Sequence, residues 1–181
     1  MKNIFKIAIA ASLFASSSLV FAATADGTLG ATSTGTSDVS LTIDEKFQIS
    51  GMDTFSFGSW SGTGDLDANN SMCIYHNGDG SYKITFTDNS AMSSGFAVEN
   101  AADTTEIPMA VRFIANISPT GNALMTYNTP ATQAAASANI AATNCGGTDN
   151  ANIQVVLTDA DLSGAPAGAY DSEITVLVDP D

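Results

Sequence analysis

Near the end of the chain Ile174, Val176 and Val178 repeat at a period of two, with Thr175 and Leu177 between them and only Asp179-Pro180-Asp181 beyond. β-branched residues at that spacing form a strand with one face buried. Pro166 and Gly168 break regular structure just upstream, so the stretch reads as a turn followed by a strand. In an antiparallel sandwich such a strand needs neighbours on both sides, and the sequence after it supplies none. Something else is expected to cover it.

The same period runs through the rest of the chain. Val39, Leu41 and Ile43 alternate, and Phe47 and Ile49 continue the pattern after Asp44-Glu45, which predicts one bent strand or two. Met72 to Tyr75 and Tyr82 to Thr87 flank Asn77-Gly78-Asp79-Gly80, residues that accept the positive φ of tight turns, so a hairpin is expected there. Gly95 to Val98, Ile107 to Phe113 and Asn152 to Leu157 are further strand candidates, with Pro108 restricted to an edge or a strand start. Residues 115–144 are rich in Ala, Thr and Asn without an apolar stripe at helical spacing, which favours a long loop or a marginal hairpin around Leu124 to Tyr127. About eight to ten short strands and no convincing helix make an all-β sandwich.

The first 22 residues read differently: Lys2 and Lys6, an apolar run from Ile7 to Val20, and the small-residue site Val20-Phe21-Ala22. This is the pattern of a secretory signal peptide, and its run falls short of the roughly 18 apolar residues a membrane span needs. Residues 23–37, built from Gly, Thr, Ser and Ala, form an N-terminal extension, and residues 38–181 a single domain. The expectation is an exported chain of ~159 residues with no direct membrane insertion.

Beyond the leader only Lys46, Lys83 and Arg112 stand against nineteen acids, which argues against a nucleic-acid partner. Cys73 and Cys145 are the only cysteines, and two thiols in an oxidising compartment are expected to pair as a structural disulfide. Catalysis is not expected. His76 is the only histidine and adjoins the turn, where a solvated side chain is the ordinary outcome, and Trp60 occupies the place of the serine in a G-x-S-x-G elbow. Asp65, Asp67 and Asn69 have the alternate spacing of a calcium loop, but Asn70 and His76 stand where an EF-hand needs glycine and glutamate. No cofactor or metal is expected.

Val39 to Ile43, Ile49-Ser50 followed by Phe57-Gly58, Cys73 ahead of Gly80 to Ile84, and Ala167 to Ser172 with the valine-rich strand together resemble the spore coat protein U-like pilins. These are subunits of archaic-type chaperone-usher pili in Gram-negative bacteria. The resemblance implies an incomplete immunoglobulin-like sandwich lacking its last strand, whose groove is filled first by a periplasmic chaperone and then by the N-terminal extension of a neighbouring pilin subunit. It implies an outer-membrane usher, transit through the periplasm and a place in a surface fibre. Leu29, Ala31 and Ser33 would be the inward positions of the donor strand; Val39, Leu41, Ile43, Ile174, Val176 and Val178 would lie at the accepting groove. The alternative is a self-complete secreted sandwich that binds glycan or another extracellular ligand, with Trp60, Tyr75 or Tyr127 as a stacking platform.

Overall fold

The structure, a computed structural model, describes residues 24–78, 81–92, 94–100, 102, 105–117, 121–134 and 141–181. The expected signal peptide and the Asp79-Gly80 part of the turn lie outside the described residues. The chain divides into two units, Met1–Ile43 and Asp44–Asp181. The described part of the first is exposed throughout, and its one β-bridge joins Ala25 to Thr36 through backbone hydrogen bonds of 3.2 and 2.9 Å.

The second unit is an all-β sandwich. Its strands are β1 (Phe47–Ser50), β2 (Leu66–His76), β3 (Tyr82–Asp88), β4 (Phe96–Glu99), β5 (Glu106–Ile114), β6 (Ala123–Leu124), β7 (Ala131–Gln133), β8 (Ala151–Leu157) and β9 (Ile174–Pro180). One sheet runs in the order β1-β2-β8-β5-β4, with β6 beside β5; the other is β7-β3-β9. All pairings are antiparallel. This is the immunoglobulin arrangement, in which β1, β2, β8 and β5 take the A, B, E and D positions and β3 and β9 the C and F positions. Among the described residues no strand takes the G position beside β9.

Period-two alternation builds the core between the sheets. Ile107, Met109, Val111 and Phe113 of β5 are buried, as are Ile153, Val155 and Leu157 of β8, Met72 and Ile74 of β2, and Tyr82, Ile84 and Phe86 of β3. Pro108 sits near the start of β5, ahead of Ala110 where pairing with β8 begins, so its missing N–H takes nothing from that ladder.

Several expectations are corrected. β2 and β3 do not form a hairpin: β2 pairs with β1 and β8, β3 with β7 and β9, and the Asn77-Gly78 connection crosses from one sheet to the other. Tight-turn residues report a reversal of the chain, not which strands then pair. Here the Asn77 side chain accepts from the Lys46 N–H (2.6 Å) and donates to the Asp44 carbonyl (3.0 Å), fastening the approach to β1. The segment after Ile114 likewise divides its two short strands, β6 joining β5 and β7 joining β3.

A five-residue helix, α1 (Asp159–Ser163), interrupts the crossing to β9. Thr158 caps it by accepting from the Asp161 N–H at 3.3 Å, and Asp159 and Asp161 occupy its first turn, where carboxylates suit the helix dipole. A helix so short carries no periodicity to announce it in the sequence. No described helix is long and apolar enough to cross a membrane.

Candidate functional site: the open edge of the last strand

All seven residues of β9 pair with β3, from Ile174 opposite Asp88 to Pro180 opposite Tyr82. On its other side, among the described residues, β9 has no strand. Strand geometry sends Ile174, Val176 and Val178 to one face, where they pack against the core while remaining only half-buried; Thr175 and Leu177 face outward, Leu177 at 54% exposure. A strand whose inward residues are incompletely covered and whose backbone edge is unpaired has the two features that β-strand addition requires: free N–H and C=O groups for affinity, and side-chain recesses at alternate positions for specificity.

β1 is the terminal strand of the other sheet and approaches β9, so the two edges border the same side of the sandwich. Phe47 and Ile49 of β1, followed by Phe55, Phe57 and Trp60, are again half-buried against the core. The run from Gly51 to Thr63 holds no strand, so apolar residues on backbone outside any ladder continue beyond β1. At one end of this region a cavity of about 720 Å³ opens among Phe57, Trp60, Leu66, Leu157, Leu162 and Tyr170. Its polar tips are already engaged: the Trp60 indole N–H donates to the Gly64 carbonyl (2.9 Å) and the Tyr170 hydroxyl to the Pro166 carbonyl (2.9 Å).

Of the residues expected at the groove, three lie on β9 and three in the N-terminal unit. Ile174, Val176 and Val178 line the open edge of β9. Val39, Leu41 and Ile43, expected beside them, belong to the N-terminal unit, lie in no strand and are 96%, 84% and 73% exposed. Alternation shows that a segment can form a strand; it does not show which sheet holds it. Phe47, Ile49, Phe55 and Phe57 supply the second wall, and their own period of two was its signal in the sequence. Leu29, Ala31 and Ser33 are exposed in the same unit, at or beside the bends spanning residues 29–32.

Cys73 and Cys145 form the expected disulfide, with Cα atoms 5.8 Å apart and both residues buried. The bridge fastens β2 to the turn that precedes β8, where Cys145 and Gly146 adopt positive φ (54° and 64°). Asn150 reinforces the same junction: its side chain accepts from the Ile74 N–H (2.8 Å) and donates to the Ile74 carbonyl (2.9 Å). One wall of the groove is thereby anchored through β2, the strand that carries β1.

His76 is not solvated. It is fully buried, stacked on Phe47 at 4.2 Å between ring centroids and edge-on to Tyr82 at 6.5 Å. It lies at the end of β2 opposite Phe47, so it supports the β1 wall from beneath. Neither ring nitrogen has a hydrogen-bond partner, and the Glu45 carboxylate stands 3.8 Å from Nε2. Buried polar atoms left unsatisfied lower stability, so His76→Leu is expected to raise it by about 1 kcal/mol, read as a higher urea midpoint. A loss of similar size would show that the imidazole makes a bond that leucine cannot.

The acidic positions are spent locally. Asp65 accepts from the Asp159 N–H (2.7 Å), Asp159 accepts from the Gly64 N–H (2.6 Å), and Asp67 and Asn69 lie on extended β2, not in a loop. Among the described residues no three His, Cys, Asp or Glu side chains converge as metal ligands. The proposed stacking residues Trp60, Tyr75 and Tyr127 are all half-buried, Tyr127 edge-on to Phe96 at 5.3 Å.

No family model and no curated protein matches the chain. Among solved structures it is similar to a chain from a study of a chaperone–tip adhesin complex in the activation of CFA/I fimbriae biogenesis, with a TM-score of 0.54 and 19% identity over 75% of this chain and 41% of that one. The chain therefore spans about two fifths of the length of the structure it matches. At that identity the likeness bears on architecture, and the architecture shared is the β-sandwich.

Proposed function

We propose that the protein is a non-catalytic structural subunit of a bacterial pilus or surface fibre, of the kind implied by the resemblance to spore coat protein U-like pilins. It is exported by its leader, held in the periplasm by a chaperone that lends a strand to β9, and handed through an outer-membrane usher to a neighbouring subunit whose N-terminal extension replaces the chaperone. The observation that carries this reading is the edge of β9, unpaired among the described residues, above half-covered Ile174, Val176 and Val178. A sandwich that completed itself would have a strand at the G position there. The likeness to a chain from a fimbrial chaperone–adhesin study supports the reading from an independent direction.

Material sheared from the cell surface and run unheated and heated on an SDS gel tests it. The unheated lane is expected to show a ladder that collapses to monomer on heating, because each joint buries a strand's hydrogen bonds and side chains together. Monomer in both lanes would refute the fibre and favour a self-complete sandwich that binds an extracellular ligand.

A further inference from the structure

A fibre of this kind needs a strand beside β9, and the exposure pattern of the N-terminal unit distinguishes two candidates. Leu29, Ala31 and Ser33 offer one large side chain and two small ones, in a stretch that bends at residues 29–32 inside the loop closed by the Ala25–Thr36 bridge. Val39, Leu41 and Ile43 offer three large side chains at a period of two, all prominently exposed, in a segment with no bend and no bridge. A row of exposed large aliphatic residues on one alternation marks a surface that awaits a partner. The segment ends at the boundary between the units, with only Asp44, Glu45 and Lys46 before β1.

We infer that the donor strand is residues 38–43 of a second copy of this chain, with Val39, Leu41 and Ile43 seated against the open side of Ile174, Val176 and Val178. This rests on the fibre reading above. Three inward residues at strand spacing meet three others at the same spacing, and Ser40 and Thr42 fall on the outward face with Thr175 and Leu177. Carboxylates are absent from the inward positions on both sides, so no charge is buried in the joint. β-branched Val39, Thr42 and Ile43 favour the extended form the groove requires, whereas Gly30 in the other candidate raises the entropy lost on ordering.

Leu41→Asp and Leu29→Asp in the full chain, each produced in the host with its own export machinery and compared by the ladder assay, test the inference. Both positions are exposed outside the sandwich, so both variants are expected to keep the Cys73–Cys145 bridge and a cooperative melt. Leu41→Asp is expected to reduce the ladder at least tenfold and Leu29→Asp to leave it within twofold of the native chain. In sheared fibres, amide exchange at residues 39–43 is expected to be at least tenfold slower than at residues 28–34. A ladder lost with Leu29→Asp and kept with Leu41→Asp overturns the assignment while leaving the fibre reading intact, as do rungs spaced by a mass other than this chain's. No ladder from the native chain overturns the fibre reading, and this inference with it.

Discussion

Replacing both Cys73 and Cys145 by serine is expected to destabilise the sandwich by about 4 kcal/mol and lower its melting temperature by roughly 8–16 °C. The bridge closes a loop across 72 residues of sequence, and a cross-link that long removes much of the unfolded chain's freedom. It ties β2, the strand that carries the β1 wall, to the turn before β8, and both residues are buried. Domains of this size hold only about 5–15 kcal/mol in total, so the loss is a large fraction of what keeps the groove walls in place. Urea titration of the oxidised chain and the double variant checks the prediction. The midpoint is expected to fall and the slope to steepen, because an unfolded chain without the cross-link exposes more surface. An unchanged midpoint would mean that the contacts of Asn150 with β2 hold the junction without the bridge.

Two distant stretches mark what local sequence carries and what it does not. Ile174 to Val178 announced a strand and its buried face, because alternation at a period of two marks both. The structure places that strand at the end of the three-stranded sheet. The turn at Asn77-Gly78 announced a reversal, but pairing partners are chosen by the core, and β2 and β3 bury Met72 and Ile74, and Ile84 and Phe86, in different sheets of it. His76 was misread for the same reason. Proximity to a polar turn suggested solvent, while the register that sets Phe47 opposite His76 puts the imidazole beneath a phenyl ring. In local sequence an arch between sheets and a hairpin within one are the same object; only long-range packing separates them. The second wall of the groove was legible piecemeal as Phe47, Ile49, Phe55 and Phe57. That it lies near β9 follows from closing the sandwich, which no local pattern encodes.

Appending residues 38–43 after Asp181 through a short Gly-Ser linker is expected to raise the melting temperature of the monomer by about 4–8 °C, through a net gain of ~2 kcal/mol. Burying three aliphatic side chains contributes about 1.5–3 kcal/mol each, and each main-chain hydrogen bond to the free edge of β9 about 1 kcal/mol. Ordering the appended residues opposes this by about 1–2 kcal/mol apiece, which leaves a modest surplus. A matched chain carrying residues 28–33 in the same position has Leu29, Ala31 and Ser33 to bury. With roughly one large side chain's worth of apolar area, it is expected to fall short of its ordering cost and leave the melt unchanged. Differential scanning of the two chains at equal concentration separates the outcomes. A rise with the first segment alone means that the groove selects by side-chain volume at alternate positions. Equal rises would mean that the edge of β9 accepts any extended backbone, with affinity coming from the main chain and specificity from elsewhere.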